Sequence, residues 1–196
     1  MSQKQYHHGD LKQDLIRKGI ELLAREGYEG FSLRKLAALC GVSHAAPYKH
    51  FQSKEEIISE IGKIIAAELH EALQKAVSQH PQDTRRQLIA MCLEYIRFMV
   101  ERPDYFRFVF MTSHQRPIRI GGGSFEAEGR LPFAAALDCV RAYFAPLHGE
   151  GWRNDFLAIW SMLQGYALML AVGTIDPGEN YLQPVQGMVE GYLDKK

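Results

Sequence analysis

The stretch Ser32–Phe51, SLRKLAALCGVSHAAPYKHF, constrains this chain more than any other. It opens with an apolar repeat too short to stand as an independent helix, and Ala37 and Gly41 sit four positions apart at its centre. Two short helices joined by a tight turn need a small side chain where they cross and a glycine in the turn, and these two residues meet both needs. Leu33, Leu36, Leu39 and Val42 supply apolar anchors on the inner side. The run that follows carries Ala45, Ala46, Tyr48, Lys49 and His50, small near its start with donors at intervals. A helix entering a DNA major groove needs that character.

The rest of the chain reads as helix, with no convincing alternating strand. Asp10 and Gln13, with capping-box spacing, precede an apolar stripe that should end near Glu26, with Gly27 as its left-handed cap. Ser32 caps a short helix through Leu39, and Ser43 opens another to His50 or Phe51. Pro47 fits only the first turn of that helix, which leaves Ser43 and His44 as alternative caps. Ser53-Lys54-Glu55-Glu56 forms a second capping box and starts a long helix closed by His80-Pro81. Thr84-Arg85-Arg86-Gln87 is read as a third, leading to Glu101, and Pro103 separates it from a short helix over 105–112. Further helices are expected at 126–146, 153–173 and 180–194. The Gly-rich stretch His114–Glu126 is expected to be a mobile loop. The outcome is an all-α protein of about nine helices. An N-terminal three-helix module, residues 10–70, joins through a long fourth helix to a C-terminal bundle, residues 71–196.

Charge divides the same way. Residues 1–54 carry nine Lys/Arg against five Asp/Glu, a balance of +4, and the remainder carries fourteen against eighteen, a balance of −4. A basic module on an acidic body suggests that one end meets a polyanion. The segment Tyr6–Asp10, with His7 and His8, is either an arm reaching DNA or a disordered start. An arm would bind more tightly below neutral pH. No apolar run is long enough to span a bilayer, and the N-terminus has no apolar core of a secretory signal, so a cytoplasmic protein is expected. Cys40, Cys92 and Cys139 are scattered, without disulfide or zinc spacing, and read as small buried apolar residues. No metal or cofactor site and no catalytic motif is found. His70 and Glu71 share a helix but lack a third partner, so enzyme function is not expected.

The residues around the turn resemble the tetracycline-repressor-like (TetR) family of bacterial regulators. The likeness runs over roughly Asp10–Ile61: Glu26-Gly27-Tyr28, Phe31-Ser32-Leu33-Arg34-Lys35-Leu36-Ala37, Gly41-Val42-Ser43, Tyr48-Lys49-His50-Phe51 and Ser53-Lys54-Glu55. The resemblance implies a DNA-binding set of Ser32, Arg34, Ser43, His44, Ala45, Ala46, Tyr48, Lys49, His50 and Lys54. Within it Ser32 and Ser43 would touch phosphates, and His44, Ala45 and Ala46 would face bases. Tyr48 and His50 would hold the DNA backbone, and Lys54 would present its charge at the start of the long helix. It also implies a homodimer on a palindromic double-stranded operator, joined through the last two helices. Repression released by a small molecule is the family's common habit, with activation or regulation without an inducer as the alternative.

The C-terminal half holds both tryptophans and most of the phenylalanines. Tyr95, Phe98, Met99, Phe106, Phe110, Trp160, Gln164 and Met169 mix apolar walls with few polar handles, as a pocket for a small hydrophobic or amphipathic ligand requires. This half resembles, more loosely, a subgroup named for a Trp-His-Gly triplet, with Trp160 and Gln164-Gly165 in that region and Gln164 in place of the histidine. The last two helices carry long apolar faces, Phe156, Ile159, Trp160, Leu163, Ala167, Leu170 and Tyr181, Leu182, Val185, Met188, Val189, Tyr192. Either face can serve the intramolecular core or the dimer.

Overall fold

A computed structural model describes residues 8–111, 120–121, 124–125, 131–176 and 178–195. Among them the chain forms eight α-helices, α1 (His8–Gly30), α2 (Leu33–Leu39), α3 (Lys54–Ser78), α4 (Thr84–Glu101), α5 (Pro103–Met111), α6 (Leu131–His148), α7 (Trp152–Ala171) and α8 (Leu182–Leu193). A single 3-10 turn at Pro47–Lys49 stands where the third helix of the N-terminal module was expected. Two further 3-10 turns, Gly149–Gly151 and Gly178–Asn180, stand before α7 and α8.

One expected helix start and one expected helix end need correction. Asp83, not Thr84, caps α4: its backbone is extended and its carboxylate accepts the Arg86 N–H at 2.9 Å. A short carboxylate beside the helix N-terminus gains from both the orphan N–H groups and the dipole. The Gln87 amide, expected to close a box, donates instead to the His80 carbonyl at 2.9 Å. α6 continues through Pro146 to His148, because a proline in the last turn forfeits only one helical hydrogen bond. Within the Gly-rich stretch, β1 (Ile120–Gly121) and β2 (Ser124–Phe125) form a minimal antiparallel ladder with Ile120 opposite Phe125. A ladder of two residues on each side leaves the chain all-α, as expected; the remainder of the expected mobile loop, and the arm before His8, lie outside the described residues.

The chain divides into two compact units. One takes residues up to Ile65 together with Asp104–Arg116, and the other takes Ala66–Pro103 with Pro117–Lys196. In the first, Leu11, Leu15, Leu22 and Leu23 of α1, Leu33 and Leu36 of α2, and Ile57, Ile58, Ile61 and Ile65 of α3 close around Phe31 and Phe51. Gly19 marks the approach of α1 to α3, since a Cβ there would lie 2.9 Å from Ile61 Cδ1. Tyr105 and Phe108 of α5 pack on the same core.

In the second unit α4 packs on α6, α7 and α8. Leu88, Cys92, Ile96, Ala136, Phe144, Leu163, Val185 and Val189 are among its buried residues. Burial pushes the Cys139 thiol up to about 12 and raises that of Cys92, so both behave as the apolar residues expected. No helix is long and apolar enough to cross a membrane among the described residues.

Candidate nucleic-acid interface

The turn is built as the sequence requires. Ser32 is in extended backbone and its hydroxyl oxygen accepts the Lys35 N–H at 3.2 Å, which starts α2. Ala37 is fully buried. α2 ends in paired reverse hydrogen bonds: Gly41 N–H donates to the Ala38 carbonyl at 3.1 Å and Val42 N–H to the Ala37 carbonyl at 3.0 Å. This Schellman arrangement needs a left-handed residue after the cap, and Gly41 supplies it at φ 66. Val42 then packs back on the N-terminal core. The end of α1 is set by Gly27, whose φ of 69 interrupts the helix where a cap was expected.

The segment after the turn is not the α-helix expected from Ser43 to His50. Ala46 N–H donates to the Ser43 carbonyl at 2.9 Å, Lys49 N–H to Ala46 at 3.2 Å and His50 N–H to Pro47 at 2.9 Å. These are bonds across three residues, which wind the chain more tightly than an α-helix. Pro47 is the physical cause: with no N–H it cannot bond four residues back to Ser43, and that carbonyl takes Ala46 instead. The proline ring is buried against the module as the first residue of the 3-10 turn.

Tight winding also decides what faces outward. Ser43, His44, Ala45 and Lys49 are exposed, and the Tyr48 ring is 58% exposed. Residues three apart share a face in this winding, so Ala45 and Tyr48 lie together on it. Ala46, also expected to face bases, is half-buried and packs on the core. His50 is half-buried, and its Nε2 is enclosed without a hydrogen-bond partner among the described residues.

The module's charges are sorted as well. Arg17 pairs with Asp14 and Glu21, Lys18 with Glu21, and Arg25 and Lys35 both with Glu26. Lys35, then Arg25, hold the Glu26 carboxyl below the usual carboxylate range. Lys12 lies over the Phe51 ring, and Lys54 over the Tyr28 ring while it donates to the Tyr28 carbonyl. Lys54 was expected to present its charge outward; it is half-buried and engaged within the module. That leaves Arg34 and Lys49, among the described residues up to Lys54, as exposed cations with no ion pair or ring contact. Both flank the turn. Uncompensated positive charge beside an exposed small-residue segment is what a phosphate backbone with an open groove would meet.

The expected pocket residues are divided. Tyr95, Phe98 and Met99 of α4 are buried, and Tyr95 donates its hydroxyl to Gln164 Oε1 at 2.9 Å. Burial raises the Tyr95 phenol well above its ordinary value. The Trp160 ring lies tilted 5.3 Å from Tyr95, edge-on 5.6 Å from Phe133 and stacked 5.8 Å from Phe156. Phe133 and Phe156 are aromatic neighbours that the sequence reading missed. Met169 of α7 is 39% exposed. Phe106 is buried but belongs to the first unit, and the Phe110 side chain lies outside the described residues.

The sequence reading also missed a buried carboxylate. Asp155 is 3% exposed, accepts the Tyr192 hydroxyl at 2.8 Å and meets His148 Nδ1 at 2.7 Å, joining α6, α7 and α8. The apolar faces offered for dimerisation turn inward: Phe156, Ile159, Leu163 and Ala167 of α7 and Val185 and Val189 of α8 are core. The outward side of α7 instead shows Ala158, Ser161, Gly165, Leu168 and Val172, spaced three and four apart.

Comparisons with known proteins agree with this geometry. A family profile described as bacterial regulatory proteins of the tetR family matches residues 15–61, and one described as the tetracyclin repressor-like C-terminal domain matches residues 88–190. The uncharacterized HTH-type transcriptional regulator YerO of Bacillus subtilis is 36% identical over 47 residues, which span 24% of this chain and 16% of that protein. Two solved structures share the fold. A TetR family transcription regulator from Marinobacter aquaeolei superposes with a TM-score of 0.68 at 16% identity, covering 91% of this chain and 92% of that one. The transcriptional regulator FadR from Bacillus subtilis, in complex with stearoyl-CoA, gives 0.70 at 14% identity, covering 92% and 96%. With profiles matched to both its turn-bearing module and its C-terminal bundle, this chain belongs to the tetracycline-repressor-like (TetR) family of DNA-binding transcription regulators.

Proposed function

We propose that this regulator is a homodimeric repressor that leaves a palindromic operator when a small hydrophobic or amphipathic molecule binds its C-terminal half. The observation that carries the DNA part is the outward face of Ser43, His44, Ala45 and Tyr48, flanked by Arg34 and Lys49, cations unpaired among the described residues. Residues 10–70 serve as the DNA-binding domain and residues 71–196 as the sensing and dimerisation domain. Ser32, Arg34, Ser43, Tyr48 and Lys49 position the backbone, while His44 and Ala45 read bases. A histidine can donate to a purine edge, and an alanine methyl can pack on a thymine methyl.

Dimerisation is supported by the outer side of the last two helices. Leu168 of α7 is 42% and Val172, at its C-cap, 55% exposed, and Gly165, Gly187 and Gly191 have no atom within 4 Å of where a Cβ would stand. Spacing of three and four residues is the packing repeat of paired helices, and small side chains let the axes approach. A two-fold pair of reading segments suits half-sites about one helical turn of DNA, or a multiple of it, apart.

Ligand release is supported by the aromatic cluster around Trp160, with Tyr95 and Gln164 as its polar pair. FadR, of similar fold, has a structure in complex with stearoyl-CoA. A ligand preferring a state in which the two reading segments no longer match successive grooves would weaken operator binding, typically by about 1–3 kcal/mol. Footprinting on the DNA flanking the coding gene, with and without acyl thioesters and other amphipathic metabolites, tests this. A symmetric footprint lost on addition of one compound supports it. A symmetric footprint insensitive to every compound favours regulation without an inducer, and no footprint removes the proposal.

A further inference from the structure

The start of α3 grips the end of α1 through one residue. The Lys54 ammonium lies 3.8 Å from the centre of the Tyr28 ring and also donates to the Tyr28 carbonyl oxygen. The Tyr28 hydroxyl donates to Glu55 Oε1 at 3.0 Å. Two consecutive residues of α3 therefore hold the ring face, the carbonyl and the hydroxyl of a single tyrosine. That tyrosine directly follows Gly27, where positive φ breaks α1. α2, the turn and the reading segment all lie on the chain between the two gripped points, residues 28 and 54.

An ammonium held this way cannot also swing out to a phosphate without giving up both its carbonyl and its ring. Exchanging one set of charge-assisted contacts for another yields little net affinity. Arg34 and Lys49, which have no such internal partners among the described residues, are the cheaper phosphate contacts. We propose that Tyr28, Lys54 and Glu55 form a clamp that fixes the end of α1 to the start of α3 and so holds the reading segment ready for DNA. Lys54 is a positioning residue that works through Tyr28, not a phosphate contact. The clamp rests on the reading of this module as the DNA-binding one, and it deepens that reading.

The test is a fluorescence-anisotropy titration of a short mixed-sequence DNA duplex by the full-length protein across a series of salt concentrations. The variants are K54A, Tyr28→Leu, the double variant and Tyr28→Phe. The clamp predicts that K54A weakens binding by about threefold to tenfold, the scale of a cation–π contact plus one hydrogen bond. It also predicts an unchanged slope of log affinity against log salt. Tyr28→Leu should lose a similar factor, and the double variant no more than either single one, because both remove the same contact. Tyr28→Phe keeps the ring and carbonyl, so it should stay within about threefold of wild type, the scale of one exposed hydrogen bond.

A phosphate contact predicts otherwise: the slope would fall by about 0.9 in K54A, and the losses of the two single variants would multiply. Either result overturns the clamp, as does K54A binding unchanged. Should Tyr28→Leu fail to fold by circular dichroism, the K54A slope decides alone. Wild-type protein that binds no duplex at low salt overturns the DNA-binding reading along with the clamp. A lowered K54A slope with wild-type binding intact overturns the clamp only.

Discussion

Gly41 offers a perturbation whose size can be worked out from geometry alone. Its φ is 66, and a Cβ placed there would meet no atom within 4 Å. Gly41→Ala therefore brings no clash, and its cost is the left-handed backbone itself, about 1–2 kcal/mol for a residue with a Cβ. Asparagine tolerates this region and should cost less than alanine, while valine, branched at Cβ, should cost more. Gly173 supplies an internal control. It has φ 72, equally open surroundings and the same pair of reverse hydrogen bonds, Gly173 N–H to Leu170 and Thr174 N–H to Met169, at the end of α7. Gly173→Ala should therefore carry a similar intrinsic cost, in the other unit. Only Gly41 sets the path of the chain into the reading segment. Urea unfolding followed by circular dichroism should give comparable losses for the two variants, and duplex binding by anisotropy should weaken for G41A alone. Equal DNA affinity for the two variants, or an alanine at position 41 without cost, would refute the reasoning.

Three further outcomes are expected. Asp155→Ala should destabilise the C-terminal unit by about 2–4 kcal/mol, since it leaves His148 and the Tyr192 hydroxyl without their shared acceptor, whereas Asp155→Asn keeps an acceptor and should cost less. Thermal unfolding in which the two variants coincide with wild type would show that the buried carboxylate holds nothing together. Val172→Glu and Leu168→Glu, both at exposed positions, should leave the monomer folded and convert a dimer to monomers in analytical ultracentrifugation; a dimer unaffected by both places the interface elsewhere. The third concerns acid. Glu26, beside Lys35 and Arg25, is held below its usual range, so the stability it contributes is complete at neutral pH and fades as the pH falls through its folded value. Glu26→Gln should flatten the loss of stability below about pH 5, and an acid-unfolding curve of unchanged steepness would contradict this.

Much of the DNA-binding module was legible because its determinants are local. Ser32 as cap, Gly41 as the left-handed residue and the bounds of α2 follow from side-chain chemistry within a few positions. The 3-10 winding was foreshadowed by Pro47, but sequence alone did not say how the lost hydrogen bond would be made good. Lys54 read as a free charge because its partner, Tyr28, is 26 residues away and visible only after α1 and α3 have packed. Asp155 was missed for the same reason, since Tyr192 lies 37 residues on. On α7 the strong apolar face was plain in the sequence, but whether it faces its own bundle or a second chain depends on tertiary packing. The structure turns that face inward and leaves the smaller, weaker stripe outside.

The most direct test of the account is selection from a randomised duplex pool by wild-type protein and by His44→Ala and Ala45→Leu variants, with helical content checked in each. Enrichment of a two-fold-symmetric sequence by wild type is expected, with preference changed at symmetric base pairs in the variants and the fold intact. Enrichment of the same sequence by all three would mean that another segment reads DNA, and no enrichment by wild type at low ionic strength would contradict the account outright.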